Sequence, residues 1–259
     1  MNKFYAKRKF SQNFLNDKNI LSKIANVINV ENKCIIEIGP GKGSLTKTIL
    51  ENNVKRLVAF EIDNDLFKYL ETTIIDNRLE LINQDFLKSD LSEYVNFNIV
   101  ANIPYNISTD IIFKIFDNYE NFENVVLLVQ KEFAQRICAK VNTKEYSKLS
   151  PSTRLFYDAS YCFDVEANSF WPKPKVTSAV VHLKRTNNKY DVNYSEFLDF
   201  IKQSFSMRRK TFWNNIKNTT YDYEKFKNVC DQLNLKTDIR PEQLNFDQLM
   251  FFYKNQMKF

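Results

Sequence analysis

The sequence predicts an α/β fold, a Rossmann-like open parallel sheet followed by a smaller C-terminal helical domain. Three observations carry that prediction. Four short apolar runs, closing at Ile38, Phe60, Ile82 and Ala101, each stop at a polar or glycine-rich element. Strands of an open α/β sheet end in this way where ligands bind at their carboxyl edge. All three glycines of the 259 residues lie between Gly39 and Gly43, directly after the first run. Past Asn193 the apolar spacing turns helical.

The elements follow in order. A basic arm containing Lys7, Arg8 and Lys9 leads to Asn13, Phe14 and Leu15. A helix capped by Asn16 or Asp17 then carries Ile20, Ile24, Val27 and Ile28 on one face. Cys34 to Ile38 is the first core strand, Gly39 to Gly43 a glycine loop, and a helix starts near Ser44. A chain that otherwise avoids glycine needs it here for positive φ or for close backbone approach to a ligand, which marks Gly39 and Gly41 as cofactor contacts. The spacing is G-x-G-x-G, with Ser44 where the dinucleotide fingerprint has its third glycine. The loop therefore fits an adenosyl group without a pyrophosphate, and the cofactor expected is S-adenosylmethionine. After Arg56 to Phe60, Glu61 takes the position of a ribose-binding acid, with Asp63 second. After Leu79 to Ile82, Asp85 is placed to accept a hydrogen bond from the cofactor adenine, with Phe86 beside it.

The fourth run, Ile99 to Ala101, ends in Asn102-Ile103-Pro104-Tyr105. An Asn-x-Pro-Tyr sequence at a strand end suits methylation of an amino group conjugated to a ring. The lone pair of an adenine 6-amino group is delocalised, so the nitrogen is a poor nucleophile. Acceptors on its two hydrogens, expected to be the Asn102 side-chain oxygen and the Pro104 carbonyl, favour a pyramidal nitrogen with an available lone pair. Tyr105 is expected to stack on the base and hold it in line with the methyl donor. Without the surrounding motifs, the same residues read as a strand followed by an Asn-Pro turn.

A helix over 107–116, a strand over 125–129, a helical segment over 133–139 and strands over 157–165 and 178–184 complete the first domain, 1–185. Between the last two strands runs the proline-stiffened loop Phe170-Trp171-Pro172-Lys173-Pro174-Lys175-Val176, whose Phe suits stacking on a flipped base. The second domain, 186–259, has helices around Phe197, Ile201 and Phe205 and around Phe226, Val229 and Leu233. Asn245 with Gln248 forms a capping box. From Lys202 to Lys217 there is no acidic residue, and Arg208, Arg209 and Lys210 lie beside Phe212 and Trp213, a pattern that suits RNA as well as a solvated face.

Composition bounds the function. Net charge is +6 and the isoelectric point about 8.9, compatible with a polyanionic partner. Cys34, Cys138, Cys162 and Cys230 form no C-x-x-C pair and His182 is the only histidine, so no metal is expected. The longest apolar run, Val125 to Val129, is too short for a membrane, and the basic start is not followed by a signal-peptide core. A cytoplasmic protein is expected.

Taken together, Phe10 to Leu15, Glu37 to Gly43, Glu61 to Asp63, Asn102 to Thr109 and Phe170 to Val176 resemble the ribosomal RNA adenine dimethyltransferases. That family includes the housekeeping KsgA type and the macrolide-resistance methyltransferases. Gln130 to Ile137, Phe205 to Thr211 and Arg240 to Leu244 resemble the housekeeping type. Ser11 and Ser147 depart from it, standing where glycine is usual. The resemblance implies transfer of two methyl groups to each of two adjacent adenosines near the 3′ end of small-subunit ribosomal RNA. The substrate would be a pre-mature small subunit and the enzyme a monomer. It implies cofactor contacts from Asn13, Leu15, Gly39, Glu61, Asp85 and Asn102, and places Phe170 opposite Tyr105 around the target adenine. The alternatives are a large-subunit resistance methyltransferase and a non-catalytic RNA-binding assembly factor. A nicotinamide dehydrogenase lacks both the third glycine and a hydride-transfer partner.

Overall fold

A computed structural model describes residues 13–187, 190–217 and 222–256. Lys7, Arg8, Lys9 and Ser11 lie outside the described residues. The chain opens with β1 (Phe14–Leu15) and α1 (Lys18–Ala25). Asp17 is the cap of α1, accepting from the N–H groups of Asn19 and Ile20 at 3.0 and 3.2 Å. That helix stops at Ala25, so Val27 and Ile28, expected on its apolar face, pack against the core from the following turn.

Five strands and four helices follow: β2 (Cys34–Ile38), α2 (Ser44–Glu51), β3 (Arg56–Phe60), α3 (Asn64–Thr73), β4 (Leu79–Ile82), β5 (Phe97–Asn102), α4 (Ser108–Asp117), β6 (Phe122–Gln130) and α5 (Lys131–Ile137). Then come α6 (Leu149–Phe156), β7 (Tyr157–Val165), β8 (Phe170–Trp171) and β9 (Ser178–Arg185). The main sheet has seven strands in the order β4-β3-β2-β5-β6-β9-β7. β4 to β6 run parallel to one another, and β9 lies antiparallel to β6. β1 and β8 form a separate antiparallel pair. Strands covered on both faces are apolar throughout: Ile36, Val58, Val100 and Leu127 are all fully buried. Strand order reverses at β2, which pairs with β3 on one side and β5 on the other. The crevice outside the carboxyl ends at this reversal is where such sheets bind ligands.

Turns in this glycine-poor chain are made by asparagine. Asn32, Asn53, Asn96, Asn142 and Asn234 all have positive φ, a conformation that asparagine tolerates better than most residues. Glycine is kept for the positive-φ turns of the loop after β2, and at one of them a side chain does not fit. At Gly43 (φ 77°) an added Cβ would lie 2.5 Å from Ile74 Cδ1 and 2.8 Å from Leu70 Cδ2.

Contacts divide the chain into two units, one made of 13–134 with 158–185 and the other of 135–157 with the residues from 186 onward. The segment 135–157, read from the sequence as part of the first domain, thus packs with the helical unit. Its Tyr146 ring lies 5.8 Å from Phe205, and its Asn142 N–H donates to the Glu242 carbonyl at 2.8 Å. The remaining helices of this unit are α7 (Tyr194–Ser204), α8 (Phe212–Ile216), α9 (Tyr223–Gln232) and α10 (Phe246–Gln256). Their core is aromatic: the Phe212 ring meets Phe252 edge-on at 4.9 Å, and Phe252 stacks on Phe226. Phe212 is fully buried, and Trp213 packs on Tyr223 and Phe226. These two aromatics therefore support the helices and are not exposed beside the basic run. Arg208, Arg209 and Lys210 are exposed, and Arg208 donates to the Lys144 carbonyl. No helix among the described residues is long and apolar enough to cross a membrane.

Replacing Gly43 with alanine should destabilise the protein by about 2 kcal/mol, since a left-handed non-glycine residue alone costs about 1–2 kcal/mol and Leu70 and Ile74 must also move. Urea denaturation of Gly43→Ala checks this, and an unchanged midpoint would contradict it.

Candidate active site

A cavity of about 270 Å³ opens at the carboxyl edge of β2, β3 and β5. Its floor is the glycine loop, where Gly39, Gly41 and Gly43 all have positive φ. The Gly39 N–H donates to the Phe60 carbonyl at 2.9 Å, and the ring of Phe14 lies 3.1 Å from where a Gly41 Cβ would be. The loop is therefore held against β3, with the Phe14 ring close over Gly41.

Glu61 is almost fully buried and borders this cavity. One carboxylate oxygen accepts from the Gly41 N–H at 3.1 Å and the other from the Asp63 N–H at 2.8 Å. Burial pushes its pKa up, these two backbone donors pull against the rise, and the neighbouring Asp63 adds to it. Each oxygen keeps a lone pair that can meet a ribose hydroxyl. Asp63, the second choice from sequence, caps α3 by accepting from the Asp65 N–H at 3.0 Å and does not border the cavity. Asp85 borders it while capping the short turn Phe86–Lys88 through one oxygen, 3.0 Å from the Leu87 N–H. Phe86 is buried behind it, edge-on to Phe60.

Asn13 and Leu15 reach the same cavity from β1. The Asn13 carbonyl accepts from Asn102 Nδ2 at 3.2 Å, a bond that spans 89 residues of chain. It fixes the amide orientation, so the remaining side-chain atom of Asn102 is the acceptor Oδ1. Tyr105 also borders the cavity, and its hydroxyl lies 2.5 Å from Ser178 Oγ, which holds the ring in place. Burial raises the Tyr105 pKa.

Two expectations need correction. The Pro104 carbonyl is occupied, accepting from the Ile107 N–H at 3.3 Å and the Ser108 hydroxyl at 3.2 Å. The carbonyl with no donor among the described residues is that of Ile103, one residue earlier, which also borders the cavity. Pro104 (φ −61°) fixes the backbone around it. Phe170 does not face Tyr105. It pairs with Leu15 and is buried with that residue in the apolar cluster that includes Leu21 and Ile24. Side chains alternate along a strand, so burying Phe170 turns Trp171 outward, 48% exposed.

Sequence reasoning also missed Glu37 as a site residue. It borders the cavity at 1% exposure, and its Oε2 and the Thr46 hydroxyl beside it lie near each other without meeting full hydrogen-bond geometry. Burial drives its pKa up to about 8, the Thr46 hydroxyl pulls against the rise, and the charge of Glu61 adds to it. The available signal was an acid inside the otherwise apolar run Cys34-Ile35-Ile36-Glu37-Ile38. Among the described residues there is no group of three or more acid, His or Cys side chains that could hold a metal. The cradle fits the adenosyl cofactor: glycine turns at the base, a diol acceptor at Glu61, and a buried carboxyl at Glu37 that borders the cavity.

Comparison with known proteins gives a consistent picture. Residues 3–250 match the model of the family described as ribosomal RNA adenine dimethylase. The chain is 42% identical to the ribosomal RNA small subunit methyltransferase A of Mycoplasma mobile, over 96% of this chain and 98% of that one. Among solved structures, a dimethyladenosine transferase from Plasmodium falciparum superposes with a TM-score of 0.80 at 27% identity, covering 93% of this chain and 98% of that chain. The 23S rRNA methyltransferase ErmE superposes at 0.73 with 21% identity, over 95% of this chain and all of that one, a likeness of fold alone.

The raised Glu37 pKa sets a pH dependence. Below about pH 4.5 the carboxyl is protonated in both the folded and the unfolded chain. Between there and about pH 8 the unfolded chain has lost the proton and the folded one holds it, so Glu37 makes stability fall as pH rises. The loss is about 1.4 kcal/mol for each pH unit crossed, and it is complete above the folded value. Glu37→Gln should flatten the denaturation midpoint across that window and exceed the wild type at its alkaline end. Parallel pH profiles for the two proteins would contradict this assignment.

Proposed function

The chain belongs to the ribosomal RNA adenine dimethylase family, and from that premise we propose how its residues divide the work of the reaction. It is an S-adenosylmethionine-dependent methyltransferase that dimethylates adenine 6-amino groups of small-subunit ribosomal RNA. The observation that carries the residue assignment is the Asn102 amide, fixed by the Asn13 carbonyl so that Oδ1 is the atom presented to the substrate.

When bound, S-adenosylmethionine supplies an electrophilic methyl group on sulfur. Gly39, Gly41, Glu61 and Asp85 would hold its adenosyl part, with Asn13 and Leu15 closing over it from β1. Asn102 Oδ1 and the Ile103 carbonyl accept from the two amino hydrogens of the target adenine, favouring a pyramidal nitrogen whose lone pair is available. Tyr105, its hydroxyl tied to Ser178, orients the base. The alkylated nitrogen is acidic and loses its proton to water, so no strong general base is required.

The substrate in this reading is a pair of adjacent adenosines near the 3′ end of the small-subunit RNA, in a pre-mature subunit, modified by a monomeric cytoplasmic enzyme. Arg208, Arg209 and Lys210, exposed in the helical unit, bind RNA phosphates, and Lys7, Arg8 and Lys9 do so from the N-terminal arm. Incubation with labelled S-adenosylmethionine and unmethylated ribosomal subunits tests the whole reading. Dimethyladenosine should appear in the small-subunit RNA. Label in the large subunit would indicate the resistance activity, and none in either a non-catalytic assembly factor.

Asn102→Ala should lower kcat by two to three decades, about 3–4 kcal/mol of transition-state stabilisation, with a much smaller change in cofactor affinity. Turnover at the wild-type rate would refute the role given to Asn102. Neutralising Arg208, Arg209 and Lys210 together should weaken RNA binding and reduce its salt dependence, by about 0.7 in logarithmic slope for each phosphate of a single strand left unneutralised. A slope equal to that of the wild type would return them to the role of a solvated surface.

A further inference from the structure

The paired strands β1 and β8 bring two rings and a cation together at the rim of the cavity, in an arrangement the methyl transfer itself does not use. Phe14 and Trp171 are partners in the strand register. The Lys42 ammonium, from the glycine loop, lies 4.7 Å from the centroid of the Phe14 ring and 4.8 Å from that of Trp171. No carboxylate pairs with Lys42 among the described residues. Phe14 and Lys42 border the cavity, whereas nearly half of Trp171 is in solvent. The chain continues from Trp171 through Lys173 and Lys175, both on the same loop.

A flat π surface beside cations that lack counter-charges matches single-stranded nucleic acid, in which each nucleotide offers a base to stack and a phosphate to neutralise. There is also a physical demand for it. An adenine whose amino group reaches Asn102 has left its stack, and its neighbour is without a stacking partner. An exposed indole at the rim replaces that partner.

We propose that Trp171 and Lys42 form a nucleotide subsite at the cavity rim, the indole stacking on the base next to the target adenosine and the ammonium binding the phosphate between them. This subsite rests on the functional reading above. It makes Trp171 a positioning residue.

Two readouts test it. In single-turnover methylation of unmethylated small subunits, Trp171→Ala should raise the half-saturating subunit concentration about tenfold while S-adenosylhomocysteine affinity stays within about twofold. Trp171→Phe, which keeps a stacking face, should recover most of that affinity, and Lys42→Met should lower the salt dependence of RNA binding. The second readout needs no turnover. In a Trp213→Phe background Trp171 is the only tryptophan, and a short single-stranded RNA with adjacent adenosines should quench its fluorescence saturably. Absence of quenching, or unchanged half-saturation in Trp171→Ala, would overturn the proposal. A fall in cofactor affinity as large as the fall in RNA affinity would overturn it too, reducing the cluster to a brace of β1 on the glycine loop. If the wild type methylates nothing yet Trp171 is quenched, the functional reading fails and the subsite stands.

Discussion

The buried carboxylate of Glu61 is the interaction on which the rest of the site depends. Its two oxygens hold the Gly41 and Asp63 N–H groups, and its backbone carbonyl accepts from Asn83 Nδ2 at 2.8 Å. Its own N–H donates to the Ile82 carbonyl at 2.9 Å. One residue thus joins the glycine loop after β2, the end of β3 and the end of β4. Taking a carboxylate out of water is costly unless donors satisfy it. Here the donors belong to the loops around the cavity, so satisfying the buried charge and ordering the site are one event.

The parallel sheet explains why so much was legible in advance. Strands covered on both faces must be apolar along their length, so polar residues accumulate at their ends, and in this topology the ends converge. Glu61, Asp85 and Asn102 were visible because each follows an apolar run at its carboxyl end. The glycine loop was visible because the chain uses asparagine for its other left-handed turns and concentrates its glycines in three positive-φ positions after β2. The choice between Glu61 and Asp63 needed only the knowledge that the latter caps α3.

What remained hidden depended on partners distant in the chain or on the direction of single groups. A two-residue strand carries no period, so nothing in Phe170-Trp171 says which ring turns inward until Leu15 is seen opposite. The Pro104 carbonyl is taken up by the turn after it, a matter of two hydrogen bonds that no residue pattern encodes. Residues 135–157 are apolar enough for either unit, and hydrophobic patterning does not name the surface that will cover a segment. Phe212 and Trp213 sit in a basic stretch by sequence and in an aromatic core by structure, because Arg208, Arg209 and Lys210 lie in the exposed turn before α8 while both aromatics, in its first turn, pack on Phe226.

The bond between Asn13 and Asn102 has a consequence for how the protein avoids error. A carboxamide is nearly symmetric in shape and opposite in polarity at its two ends. Without the Asn13 carbonyl, the Asn102 amide is able to rotate and present N–H toward the cavity in place of its oxygen. Asn13, just before β1, is therefore what decides which end of the Asn102 amide faces the cavity.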